Sequence, residues 1–245
     1  THFKELDALK SEFVSTVSHD LRSPLTLIRG YATMLDMVGQ LNEQQHGYVS
    51  KIITGVEVMS RLVNNLLDLG RIEAGVGLQV EDVVLMDVVE AVTSSLQLQA
   101  GEKNIRLGVE LAQGLPRLIR ADRALLQQAI YNLVENAVKY TPQRGKVTLR
   151  LKPRLEDFLV EVQDNGIGIA PADQPRLFEK FYRGSQREAR KQRGSGLGLA
   201  IVRSVAERHG GKVWLESQLG EGSTFYLSIP YQQKGDANGK TKPFV

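Results

Sequence analysis

Residues 132–140 read Asn-Leu-Val-Glu-Asn-Ala-Val-Lys-Tyr, and the chemistry of this stretch, taken with its neighbours, decides the fold. Asn132, Asn136, Lys139 and Tyr140 recur at intervals of three and four, so they share one face of an amphipathic helix that Asp122 caps and Tyr140 ends. Polar residues on such a face are ordinarily just solvated. Three glycine-bearing segments shift that balance: Asp164-Asn165-Gly166-Ile167-Gly168, Gly194-Ser195-Gly196-Leu197-Gly198 and Gly220-Glu221-Gly222-Ser223-Thr224. Each alone reads as a turn. The second, however, opens directly onto a helical pattern, where unpaired N–H groups and the helix dipole favour phosphate. No Lys-Ser/Thr follows its last glycine, as a Walker A loop requires, and no βαβ unit surrounds it as in a Rossmann fingerprint. The spacing therefore asks for a different nucleotide fold.

Working outward, helices are predicted over residues 88–99, 122–140 and 197–209, and strands over 105–110, 117–121, 147–151, 158–162, 212–216 and 224–229. Adjacent hairpins beside grouped helices favour an α+β sandwich over a doubly wound parallel sheet. This domain is expected to span residues 80–231. Residues 232–245 are polar and read as a disordered tail. Arg183 to Ser195 has little apolar content and several cations, as a mobile lid would.

Upstream the period changes. Leu9, Phe13, Val17, Leu21, Ile28, Tyr31 and Leu35 form a helical stripe interrupted only by Pro24. After a turn at Gly39 and Asn42, Val49, Ile52, Val56, Met59, Val63 and Leu66 alternate by three and four. Residues 1–75 thus read as an all-α helical hairpin, joined by a glycine-bearing linker at 76–79. Val14, Leu25, Leu27, Leu62 and Leu69 lie off these seams, and pairing two hairpins into a four-helix bundle would bury them. A homodimer through residues 1–75 is expected.

The formal charge of +3 on 245 residues, with no Lys/Arg cluster interleaved with aromatics, argues against nucleic acid as a partner. There is no cysteine, which excludes disulfide and thiolate chemistry, and the four histidines show no metal-ligand spacing. No apolar run approaches the roughly 18 residues of a membrane span, and the N-terminus lacks an apolar signal core. A cytoplasmic location is expected for this piece, whose opening in a charged helical pattern without methionine reads as a fragment lacking upstream domains.

With these residues in place, the chain resembles the catalytic core of sensor histidine kinases from two-component systems. Residues 132–140 resemble their N box, Asp164 to Gly168 their first glycine box, and Leu177 to Arg183 their F box. Gly194 to Gly198 resemble the second glycine box, and Phe13 to Leu25, centred on His19-Asp20, the phosphoacceptor box. The boxes fall in order across residues 4–231.

The resemblance implies a GHKL (Bergerat) ATP-binding domain after the hairpin. It also implies Mg²⁺ held through the Asn136 oxygen, and phosphates met by Asn132, Lys139 and the segment Gly194, Gly196, Leu197 and Gly198. Tyr140 would line the nucleotide pocket, and Asp164 would accept from the adenine amino group while Gly166 and Gly168 let backbone approach the base. Arg183 would face the γ-phosphate, with Phe178 and Phe181 as an apolar hinge, and Thr224 would lie near the adenine. The implied reaction is autophosphorylation on His19, assisted by Asp20, then transfer to an aspartate of a response regulator receiver domain. Ser23, four residues after His19, keeps a hydroxyl for weak phosphatase activity.

Two other readings compete. In gyrase-type, mismatch-repair and chaperone ATPases a glutamate four residues before the Mg-binding asparagine activates water; that position is Asn132 here, and Glu135 lies about 100° away around the helix. A non-catalytic dimeric scaffold would be favoured by loss of His19, Asn136 or a glycine box, and all are present.

Overall fold

A computed structural model describes residues 21–73, 78–186, 192 and 194–231. The chain divides into two compact units, Thr1–Val76 and Gly77–Val245. Expectations for His19, Asp20, the glycines at 75 and 77, most of the proposed lid and the tail at 232–245 fall outside the described residues.

In the first unit, residues 21–38 are helical (α1), and Glu43–Glu73 forms the 31-residue α2. Asn42 and Gln45 start α2 with reciprocal bonds: the Gln45 N–H donates to Asn42 Oδ1 at 2.9 Å and the Asn42 N–H to Gln45 Oε1 at 2.8 Å, a capping box. The turn needs Gly39, because a Cβ there would stand 2.4 Å from the Leu35 carbonyl oxygen. Leu25, Ala32, Val49, Val56, Leu67 and Leu69 are buried. The expected stripes split at this seam. Leu21, Ile28 and Leu35 stay exposed at seven-residue intervals on α1, and Ile52, Met59 and Leu66 do so at the same interval on α2. A helix paired with one neighbour buries one narrow seam, and the rest of a wide apolar stripe remains in water.

The second unit runs β1 (Val80–Val84), α3 (Leu85–Glu102), β2 (Arg106–Leu111), β3 (Leu118–Asp122), α4 (Arg123–Tyr140), β4 (Lys146–Pro153) and β5 (Asp157–Asp164). A 3₁₀ turn at Gln174–Arg176, α5 (Gly198–Arg208), β6 (Lys212–Gln218) and β7 (Gly222–Pro230) complete it. Five strands form one sheet in the order β2-β4-β5-β7-β6, while β1 and β3 pair separately. Among the described strands only the β2–β4 pairing is parallel. The result is an α+β sandwich, as expected: α3, α4 and α5 pack together, and all three touch strands of the large sheet.

Strand alternation makes the core. Leu149, Leu151, Val160, Val162, Leu227 and Ile229 are fully buried, as are Leu126, Ile130, Leu133 and Val134 on α4, so the helix has its apolar side inward and its polar side free for chemistry. Asp122 caps α4 by accepting from the Leu125 N–H at 3.1 Å. His209 is not a surface histidine: it is 1% exposed. Its Nε2 accepts from the Asp122 backbone N–H at 3.1 Å, and its Nδ1 lies 2.8 Å from the Val205 carbonyl, which fixes the Nδ1–H tautomer and ties the end of α5 to the start of α4.

Candidate functional site

α4 positions the site. Its polar face meets both of the first two glycine segments, and at Gly166 the approach to the helix backbone is so close that only a residue without a side chain fits. A Cβ on Gly198 would sit 3.5 Å from Asn132 Oδ1, one on Gly194 2.5 Å from Lys139 Nζ, and one on Gly166 2.6 Å from the Tyr140 carbonyl oxygen. The Lys139 ammonium lies 4.8 Å from the centre of the Tyr140 ring. Gly198 also begins α5, so free N–H groups of a helix N-terminus stand beside Asn132. Asn132 is buried at 6% exposure, yet its Nδ2 has no hydrogen-bond partner. A buried amide without an acceptor is costly, and an anion at the start of α5 would supply one. Asn136 is half-buried one turn further along the same face.

The α4 helix is held at its far end by a residue that periodicity did not single out. Lys103 donates to the carbonyls of Val138 at 2.8 Å and Lys139 at 2.9 Å, two of the last acceptors of the helix. A lone lysine before a strand carries no sequence signal for this role.

Asp164 ends β5 and is 7% exposed. Its Oδ1 accepts from the Gly166 N–H at 2.8 Å, and the Ser223 N–H also donates to the carboxylate. Burial nevertheless dominates and pushes its pKa from 3.8 up to about 6. A buried carboxylate with so little compensation is set up to receive a further donor.

The third glycine segment supports the first. Gly222, at φ 111°, would place a Cβ 2.1 Å from the Asp164 carbonyl, the Gly220 N–H donates to the Ile167 carbonyl at 2.9 Å, and Gly168, at φ 65°, lies against Gln218. Side chains at these left-handed, crowded positions would force the segments apart. Ser223 pairs with Asp164 across the ladder and Thr224 with Gln163. Alternation therefore puts Ser223 on the face of Asp164 and Thr224 on the other. Ser217 Oγ, 2.9 Å from Ser223 Oγ, extends that polar patch. The register, which no local motif reveals, decides between the two hydroxyls.

Leu197 is 1% exposed, so its side chain anchors the second glycine segment to the core and only its backbone faces the site. Arg183 is exposed, lies within electrostatic reach of Tyr140, and donates from Nη2 to the Gln192 carbonyl at 2.7 Å. Phe181 does not serve as an apolar hinge: its ring is 61% exposed, and its backbone makes the turn at φ 62°, with the N–H bonded to the Gly196 carbonyl at 3.0 Å. In the helical unit, Ser23 is exposed on α1, and nearby Arg22 donates to Asn64 Oδ1 at 3.1 Å.

The raised pKa of Asp164 has a measurable sign. Its proton is bound more tightly in the folded than in the unfolded chain, so its contribution to stability is full below 3.8 and is lost as pH rises through about 6. Between pH 7 and pH 4 the wild type should therefore gain stability relative to Asp164→Asn, by about 2 kcal/mol. Urea unfolding of both proteins at the two pH values measures this. Parallel pH profiles would mean that the carboxylate is not held in a desolvated site.

Residues 121–233 match the family described as "Histidine kinase-, DNA gyrase B-, and HSP90-like ATPase", and residues 9–75 match "His Kinase A (phospho-acceptor) domain". The circadian input-output histidine kinase CikA of Synechococcus elongatus is 38% identical over 231 residues, covering 92% of this chain and 30% of that protein. The phosphate regulon sensor protein PhoR of Pseudomonas aeruginosa is 35% identical over 242 residues, covering 98% of this chain and 54% of that protein. Among solved structures, full-length ShkA in complex with AMPPNP aligns with a TM-score of 0.75 at 31% identity, over 91% of this chain and 46% of that one. The chain thus spans about a third to a half of these proteins, and no helix among its described residues is long and apolar enough to cross a membrane. In sequence, in fold and in the order of its two domains, the chain belongs to the histidine kinases, whose catalytic core it carries.

Proposed function

We propose that this core binds Mg-ATP on the polar face of α4, transfers the γ-phosphoryl group to His19, and passes it to an aspartate of a response regulator. The observation that carries the reading is the convergence of two glycine segments on one helix face, with the unpartnered Asn132 amide at one end and the buried Asp164 carboxylate near the other. Asp164 accepts from the adenine amino group, with Gly166 and Gly168 keeping the wall beside the base thin. Tyr140 lines the pocket, and Asn132, Lys139 and the N-terminus of α5 receive the phosphates.

The donor set around Asn136 suits Mg²⁺: among the described residues no cluster of three His, Cys, Asp or Glu exists to cage a metal, and a hard cation that keeps phosphate oxygens and water needs only one or two protein oxygens. The Asn136 carbonyl would supply one, and a bound ion would neutralise charge building on the leaving phosphates. Arg183 adds positive charge at the γ-phosphate.

His19 attacks as neutral imidazole; a P–N bond forms, the bond from γ-phosphorus to the bridging oxygen breaks, and ADP leaves. Asp20 orients the ring and takes the proton from the nitrogen that does not attack. Asn132 stands where an ATPase would place its water-activating glutamate, so hydrolysis is slow and the phosphoryl group is kept for histidine. The exposed heptad stripes on α1 and α2 support a homodimer, since a second hairpin would cover Leu21, Ile28, Leu35, Ile52, Met59 and Leu66. Ser23, four residues after His19 in sequence, keeps a hydroxyl for weak regulator dephosphorylation.

Incubation of the purified chain with γ-labelled ATP tests the reading. The label should stay on the protein in alkali and be lost in acid, because a phosphoramidate breaks once its nitrogen is protonated. Acid-stable label would point to a serine or threonine ester and to a different enzyme.

A further inference from the structure

Asp173 stands just before the 3₁₀ turn and is 3% exposed. Its Oδ1 accepts from the Tyr182 hydroxyl at 2.7 Å; its Oδ2 accepts from the Ser185 N–H at 2.9 Å and the Ser185 hydroxyl at 3.0 Å. These donors lie on either side of Arg183, so the backbone that presents the arginine is tied on both flanks to one carboxylate. The Arg176 guanidinium covers the Tyr182 ring at 4.4 Å and closes the outer side of the clasp. On the inner side, the Phe181 N–H bonds to the Gly196 carbonyl at 3.0 Å, and the approach is so close that a Cβ on Gly196 would stand 2.7 Å from the Tyr182 carbonyl oxygen. One short stretch is thus fixed between the second glycine segment and Asp173.

We infer that Asp173 is a positioning residue that sets where the Arg183 guanidinium stands relative to the terminal phosphate of a bound nucleotide. The inference rests on the role given to Arg183 under Proposed function. Bonds to an ionised acceptor are the strong kind, and the Tyr182 hydroxyl in turn holds the Asp173 carboxyl below the usual carboxylate range. A long arginine reaching from a loop loses rotamer freedom when it binds phosphate, so a pre-fixed backbone lowers the cost of each binding event. All three bonds lie within the 173–185 segment, so removing the carboxylate leaves α4 and Asp164 in place.

The test uses the full chain with Mg²⁺ and compares its affinity for AMP-PNP and for ADP, which differ by the terminal phosphate, by calorimetry. Arg183→Ala should lower the AMP-PNP preference about tenfold. Asp173→Asn should lower it about three- to tenfold with ADP affinity unchanged, and the double variant should fall no further than Arg183→Ala alone, since both act through one group. Tyr182→Phe removes a single hydroxyl and should move the preference in the same direction, which keeps the test available if Asp173→Asn does not fold. Equal losses for AMP-PNP and ADP in both the Asp173 and Tyr182 variants, or additive losses in the double variant, would overturn the inference. A normal preference in Arg183→Ala would remove the role of Arg183 itself, and the positioning of Asp173 with it; a lowered preference there with no change in Asp173→Asn or Tyr182→Phe would overturn the positioning alone.

Discussion

Asn136→Ala should lower phosphorylation by about a thousandfold at saturating Mg-ATP, the scale expected when a group that stabilises charge on a transferring phosphoryl loses its anchor. The expectation follows from position. Asn136 lies half-buried between Asn132 and Lys139 on the one face of α4 that meets the glycine segments. With no carboxylate cluster among the described residues to hold a cation nearby, a lost amide oxygen has no substitute. The substitution keeps helix propensity high and exposes no buried polar group, so the domain should unfold at a midpoint close to wild type. Two readouts separate metal binding from general damage: the Mg²⁺ dependence of nucleotide affinity should flatten, while affinity for nucleotide in EDTA should be unchanged. Full phosphorylation by the variant would remove Asn136 as the metal ligand.

How much of this was legible in the sequence depends on the range of the signal. The polar face of α4 was, because three- and four-residue spacing is local and the helix buries its other side in the sheet. The α+β sandwich was also legible, since hairpin and helix patterns survive in short windows. The strand β1 was not: Val80–Val84 is only five residues with two of them exposed in the middle, and it exists because β3 pairs with it 38 residues later at Leu118. The roles of Lys103, His209 and Asp173 were hidden for a related reason. Each acts through a hydrogen bond to an element distant in sequence or to the far side of a loop, so its own neighbourhood reads as ordinary surface. The choice between Ser223 and Thr224 is a matter of register, where a one-residue step exchanges the faces of the sheet. In the helical hairpin the apolar stripe was plain, but which half turns toward the partner helix depends on packing that periodicity alone leaves open.

His19→Ala should abolish the acid-labile label altogether while leaving nucleotide affinity unchanged. His19 belongs to the unit Thr1–Val76, whereas every residue assigned to the nucleotide belongs to Gly77–Val245, so removing the imidazole takes the acceptor and leaves the donor site whole. The loss should be complete rather than partial because a side chain that forms the covalent bond has no substitute in alanine. Of the other histidines, His209 is buried with both ring nitrogens bonded, and the exposed His46, 3.0 Å from Asp36, lacks the adjacent aspartate and following proline of the His19 box. His2 shares no box with an adjacent aspartate and proline. Asp20→Asn should retain some label but form it more slowly, by about 10² to 10⁴ if the carboxylate takes the proton. Mixing His19→Ala with Asn136→Ala chains then reads out the dimer. Each homodimer is inactive for a different reason, and a mixed dimer pairs one intact nucleotide site with one intact acceptor on the other chain. Label recovered on mixing shows transfer between protomers, and no recovery in a demonstrated mixed dimer shows transfer within one. Label persisting on His19→Ala homodimers would mean that another side chain is the acceptor, and the assignment of His19 would be wrong.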